Sequence, residues 1–206
     1  MTKRLSIIAT KDGYIFAGSD APPIDGWANV NAGLKYNLYA DPVRQRLLSV
    51  GTRYEMPVGS PHALQANKGG QFDLFMTGGT RVGAYSHFLS ATGFRLPADR
   101  NTQNQQFYWS AHVDRRLPNR PLYGLLECNW YHWMTSGTGG LPGVGGLDLY
   151  NLGSRAVAGT NIVTAAIGVK YKPTALSEIG LAWEAPISTR HDIIDNRFTA
   201  DLILRY

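Results

Sequence analysis

From Arg197 to Tyr206 apolar residues fall at every second position: Phe198, Ala200, Leu202, Leu204 and Tyr206 alternate with Arg197, Thr199, Asp201, Ile203 and Arg205. Period two over about ten residues describes a strand with one apolar and one polar face, long enough to cross a bilayer when tilted. The pattern recurs along most of the chain. Residues 27–40 set Ala28, Val30, Ala32, Leu34, Tyr36 and Leu38 against Asn29, Asn31, Gly33, Lys35 and Asn37. Residues 46–57 set Leu48, Val50, Tyr54 and Met56 against Ser49, Gly51, Arg53 and Glu55. The same reading holds for 105–117 (Phe107, Trp109, Ala111 and Val113 outward) and for 161–172 (Val163, Ala165, Ile167, Val169 and Tyr171 outward). It holds again for 177–188, with Ile179, Leu181, Trp183 and Ala185 on the apolar side. Weaker alternation marks 4–17, 71–80, 84–97 and 121–135, which makes about ten strands.

The links between these strands are 18–26, 41–45, 58–70, a tight turn near Arg81-Val82-Gly83, 98–103, 118–120, 136–160, 173–176 and 189–195. Longer and shorter links alternate without a break. Bacterial membrane barrels alternate short periplasmic turns with long external loops, whereas a soluble sandwich has no reason to. The expected fold is therefore all-β: one antiparallel up-and-down transmembrane barrel spanning 1–206.

Composition agrees with this reading. Hydrophobic residues are 44% of the chain, yet no apolar run reaches the roughly 18 residues of a membrane helix. Charged residues are 17%, against about 25% in ordinary soluble domains, so much of the surface is expected to face something other than water. The net charge of +5 is scattered with no basic run, which gives no support to nucleic-acid binding. Cys128 has no partner for an internal disulfide and no metal-ligand spacing around it, and no cofactor is expected. Met1-Thr2-Lys3-Arg4 leads into a segment with neither a long apolar region nor a small-residue cleavage site. An exported barrel needs a signal peptide, so the sequence is either a mature form with an added Met or, the expectation favoured, an N-terminal truncation; if first strands are missing too, the full chain has twelve or more.

Outward aromatics sort into two tiers. Tyr36, Tyr171 and Tyr206 lie toward the short-turn end, and Tyr54, Phe94, Trp109, Trp130 and Trp183 toward the long-loop end. These match the interfacial girdles of a membrane barrel. A weak repeat links Gly33–Tyr36 and Gly51–Pro57 to Gly168–Tyr171 and Gly180–Pro186, through hairpin duplication or through convergence on one solution.

The final ten residues carry a resemblance. Phe198-x-Ala200-x-Leu202-x-Leu204-x-Tyr206 resembles the terminal strand that the barrel-assembly machinery of Gram-negative bacteria recognises. With the girdles and loop parity, the chain is similar to outer-membrane β-barrel proteins and, in general texture, to outer-membrane transporters grouped with the phenol-degradation MetA pathway. The resemblance implies an outer-membrane location, lipid and the assembly machinery as partners, and Phe198, Leu202, Leu204 and Tyr206 as the assembly signal.

Catalysis by an outer-membrane lipid hydrolase would need a nucleophile, a base and an orienting group. Ser86 with His87, Ser110 with His112, and His132 with Ser136 are the candidates, but the His-x-Ser pattern of barrel phospholipases is absent. His62 and His191 fall in links and read as solvated. The inward charges are more informative. Alternation points Lys35, Arg53, Glu55, Arg95, Asp114, Arg116, Glu127, Lys170, Glu178, Glu184, Asp201 and Arg205 into the lumen. They fit cross-strand pairing that fills a narrow barrel, or a polar conduit. The glycine-rich 136–160 segment lacks a phosphate-loop Gly-Lys-Ser/Thr and reads as a long external loop, folding over the pore or meeting a ligand. The function expected is a passive or facilitated route for small solutes. The rivals are a non-conducting adhesion barrel, a lipid hydrolase and a soluble all-β binding domain.

Overall fold

The structure is a computed structural model that describes residues 4–11, 13–16, 25–65 and 69–205. Its strands are β1 (Leu5–Lys11), β2 (Tyr14–Ile15), β3 (Gly26–Trp27), β4 (Val30–Asp41), β5 (Arg46–Met56) and β6 (Gln71–Val82). They continue with β7 (Ser86–Pro97), β8 (Gln106–Arg116), β9 (Leu122–Trp133), β10 (Asn161–Tyr171), β11 (Ser177–Pro186) and β12 (Arg197–Leu204). Ten form one antiparallel sheet in the order β1-β4-β5-β6-β7-β8-β9-β10-β11-β12, and β2 and β3 pair separately. Each large strand hydrogen-bonds to the next in sequence, which is the up-and-down topology expected. Among the described residues no ladder joins the terminal strands β1 and β12.

Most strands lie within a few residues of their expected limits, because alternation stops where the chain must turn. The first strand differs. The expected strand 4–17 ends at Lys11, with a register shift between Ala9 and Lys11 against β4. Tyr14–Ile15 instead pairs with Gly26–Trp27, which removes Trp27 from the start of the next strand. The turn expected near 81–83 lies at 83–85, where Gly83 adopts φ 67°, a conformation that costs glycine little. In β4 the register shifts between Asn37 and Tyr39, so Leu38 and Tyr39 are consecutive exposed apolar residues.

The two faces separate by chemistry. Outward positions expose Ile7, Leu34, Leu74, Leu126, Ile167, Leu181 and Leu202, a continuous apolar surface. The aromatic tier at the long-loop end is in ring contact: Tyr54 with Phe72 at 4.7 Å, Phe94 with Phe107 at 5.2 Å, and Phe107 with Trp130 at 5.4 Å. Tyr36 and Tyr171 lie exposed at the other end, while Tyr206 falls outside the described residues. Eleven-residue strands at a barrel's usual tilt give a band about 25 Å tall. The buried inward positions are mostly polar, Asn31, Ser49, Asp73, Gln106, Asp114, Asn129, Thr164, Glu178 and Glu184, while Leu47, Phe75 and Leu89 also face inward by register. A small apolar core sits at the long-loop end, where Leu147 and Val157 of the 134–160 segment meet Tyr108, Tyr131, Trp133, Ile162 and Ile194.

Candidate functional site: the charged lumen

Strand alternation places ionisable groups inward, and register decides which of them meet. His87 on β7 lies directly opposite Asp114 on β8, and His112 opposite Glu127 on β9. His87 Nδ1 approaches Asp114 Oδ1 at 2.7 Å and His112 Nδ1 approaches Glu127 Oε1 at 2.6 Å. Lys170, two strands away on β10, donates from Nζ to Asp114 Oδ2 at 2.7 Å and lies 3.1 Å from His112 Nε2. A contact that skips the intervening strand requires the sheet to curl inward here. Glu178 on β11 extends the cluster by accepting from Lys172 and from Arg205, each at 3.1 Å. Asp114 and Glu178 are nearly inaccessible, so the cations also offset the desolvation of these carboxylates.

A second tier lies nearer the long loops. Arg53 and Asp73 are register partners and pair at 3.1 Å, while Arg53 also donates to Thr10 Oγ1 at 3.0 Å. Asn31 Nδ2 donates to Asp73 at 3.1 Å. Arg95 donates to Gln106 Oε1 at 2.9 Å and to the Leu147 carbonyl at 3.2 Å, with its guanidinium 5.2 Å from the Tyr108 ring. Arg197 grips Glu184 through Nη2 at 2.6 Å and both oxygens of Asp148 through Nη1 at 2.9 Å. Glu184 also accepts from Asn129 and Thr164.

Leu147 and Asp148 therefore carry the long 134–160 segment inward onto the strands. It is held there from outside as well: both carboxylate oxygens of Asp192 accept the Gly145 and Gly146 N–H groups at 2.6 and 2.8 Å. Arg190 donates to the Gly143 carbonyl and lies 5.6 Å from the Trp133 ring. Asn104 and Ser154 exchange bonds of 2.9 and 2.8 Å, and Asn151 reaches Gln71 at 3.0 Å. Within this segment burial pushes the Tyr150 phenol above its ordinary range.

A cavity of about 210 Å³ lies against the inward-folded segment between Arg53, Asp73, Arg95 and Asp148, and larger ones open beyond it among the described residues. One, of about 690 Å³, is lined by Arg95, Asp148, Glu127, Lys170, Glu184 and Asp201 among others. Another, about 780 Å³, extends toward the short turns past His87, Asp114, Lys172 and Arg205.

Of the residues expected in the lumen, Arg53, Arg95, Asp114, Glu127, Lys170, Glu178, Glu184 and Arg205 join these clusters. Glu55 accepts from Asn29 at 2.8 Å. Lys35 faces inward by register, opposite Ser6 and Gly51, away from both clusters. Arg116 sits at the short-turn rim, where its Nε donates to the Arg120 carbonyl. Asp201 lies exposed on the terminal strand, opposite Gly180. Asp73, Asp148, Arg197, His87 and His112 also belong to the lattice but were not among the charges assigned to the lumen. Arg197 carried the right signal, inward parity on the terminal strand; Asp148 carried none, since nothing local says that a loop residue returns to the lumen.

The candidate nucleophiles are placed differently. Ser136 Oγ accepts the N–H groups of Val157 and Ala158 at 3.1 and 2.9 Å and so braces the loop. His132 Nδ1 lies 2.9 Å from Asn161 Oδ1, which also accepts from Trp130. Ser110 shares the inner face with His112, whose ring nitrogens meet Glu127 and Lys170.

No protein-family model matches this chain, and no curated protein matches it in sequence. Among solved structures it is similar to the NanC porin in a rhombohedral crystal form, with a TM-score of 0.58 and 8% identity over 98% of each chain. At that identity the likeness concerns the fold. The chain has a porin-like, all-β antiparallel barrel architecture.

Proposed function

We propose that the chain is an outer-membrane β-barrel whose lumen gives small polar solutes a passive route, narrowed at its outer mouth by the 134–160 segment. The observation that carries this is the pairing of opposite faces. An apolar, aromatic-girdled exterior surrounds cavities whose walls carry ionised and amide side chains among apolar ones such as Leu47, Leu89 and Leu125. The pairing of these charges offsets the desolvation that each would otherwise cost. A conduit gains a wet path with fixed donors and acceptors of both signs.

The adhesion reading is less well supported, because Leu147, Asp148 and Asn151 turn the longest loop toward the lumen rather than outward. The lumen-lining role falls to Arg53, Arg95, Asp114, Glu127, Lys170 and Glu184. Lys35, Glu55, Arg116 and Asp201 are assigned to its walls and rims. The exposed row Phe198, Leu202 and Leu204 on the terminal strand fits a segment read by the barrel-assembly machinery. Liposome swelling tests the proposal. Vesicles carrying the refolded protein should swell faster in isotonic monosaccharide than in an oligosaccharide. Swelling no faster than in protein-free vesicles, with insertion verified by flotation, would refute it.

A further inference from the structure

The exterior is not uniformly convex. A groove of about 820 Å³ runs across the outer face of β8–β11, from the short-turn rim toward mid-strand. Its apolar walls are Val113, Leu117, Leu126, Ile167, Val169 and Leu181. Register explains its shape. Arg115, Gly124, Val169 and Leu181 form one row of paired residues across β8, β9, β10 and β11. Gly124 is the position in that row without a side chain, and a Cβ built there would meet nothing within 4 Å. The notch is therefore open space between Arg115 and Val169, and close backbone packing does not require the glycine.

Arg115 closes the rim end of the groove. It is exposed, points outward between the inward Asp114 and Arg116, and has no ion-pair or hydrogen-bond partner for its guanidinium among the described residues. The neighbouring turn adds Arg120, also exposed, and no carboxylate lines the groove. An unpaired guanidinium at the edge of an apolar surface is free to hold an anion, and the apolar channel running from it has room for a chain. One amphiphile supplies both.

We propose that this groove is a phospholipid site: an acyl chain lies in the Gly124 notch and the phosphodiester is held by Arg115 at the short-turn interface. The inference rests on the membrane reading above, since it takes the apolar exterior to be lipid-facing. The guanidinium suits a phosphate because its planar fork donates two parallel hydrogen bonds to an oxyanion. Its aliphatic stem can lie along the rim while the head stays at headgroup depth. The outward row of Leu48, Gly78 and Ser90 also carries a glycine, but a Cβ there would meet the Leu47 carbonyl at 3.6 Å and the Leu48 side chain at 3.7 Å, whereas Gly124 opens onto empty space.

The test is native mass spectrometry of protein released from detergent micelles containing dioleoyl phosphatidylglycerol, with dioleoylglycerol and inorganic phosphate as separate comparisons. Wild type should retain one phosphatidylglycerol in preference to the phosphate-free diacylglycerol, and inorganic phosphate should not displace it. Arg115→Gln should lower that retention roughly tenfold, as expected for loss of one charge-assisted contact, while Arg115→Lys keeps part of it. Gly124→Leu fills the notch without a clash and should lower retention of both lipids. Each variant is first scored for vesicle insertion by flotation. Failure of wild type to insert would refute the membrane reading itself. Insertion of all forms with equal lipid retention, or displacement by inorganic phosphate alone, would overturn the groove as a lipid site.

Discussion

Replacing Leu181 and Ala182 in turn by arginine tests the inside–outside assignment on two adjacent residues. Leu181 is 56% exposed on the outer face, and its row neighbours Val169 and Ala200 offer a guanidinium no acceptor. An arginine near the midplane of a barrel's lipid face costs about 2–4 kcal/mol. Ala182 faces the 690 Å³ cavity, which is also lined by Glu178, Glu184 and Asp201, so an arginine there meets carboxylates and open volume. Its cost should be no more than about 1 kcal/mol, the scale of a solvated ion-pair rearrangement. The predicted difference is thus at least about 1–3 kcal/mol, or roughly fivefold to a hundredfold in the folding equilibrium. The assay is reversible urea unfolding in phospholipid vesicles, followed by tryptophan fluorescence, with unchanged m-values required of both variants. Equal losses, or a greater loss at Ala182, would refute the assignment of faces.

Other outcomes follow from the lumen and its cover. Asp192→Ala removes both acceptors of the Gly145 and Gly146 amides; proteolysis within 139–153 should accelerate while the barrel stays folded. Trp133→Ala empties a fully buried site at the centre of the loop-end core, and should cost about 3–5 kcal/mol in the same urea assay. Lys170→Met leaves the buried Asp114 carboxylate with only its histidine partners; a loss of about 3 kcal/mol is expected, and Asp114→Asn in the same chain should restore part of it. An additive loss in that double variant would show that the pair is not coupled, and a larger one that its coupling has the wrong sign.

The strand meander was legible in the sequence because a two-sided environment imposes period two, and nothing else in the chain overrides it. β12 and β10 were clear for that reason. β6 was weaker because Phe75 faces inward, where Arg53 lies 5.0 Å from its ring, and because Gly78 and Gly79 carry no facial signal. The short β1 was overestimated because Tyr14 and Ile15 continue an apolar texture while pairing elsewhere. Within the lumen, parity located the charges on each strand but not their partners. Lys170 reaches Asp114 only because the sheet curls, and Arg197 meets Asp148 only because a loop 49 residues away in sequence folds back inside. Curvature and loop return are properties of the whole fold, without a local residue pattern.

The central claim, a polar route narrowed by an inward-held loop, is tested most directly by single-channel recording in planar lipid bilayers. The wild-type protein should give discrete, reproducible current steps, and Asp192→Ala should give larger ones because the 143–147 segment is released from its latch. Inserted protein that stays silent at every voltage in both forms would contradict the account.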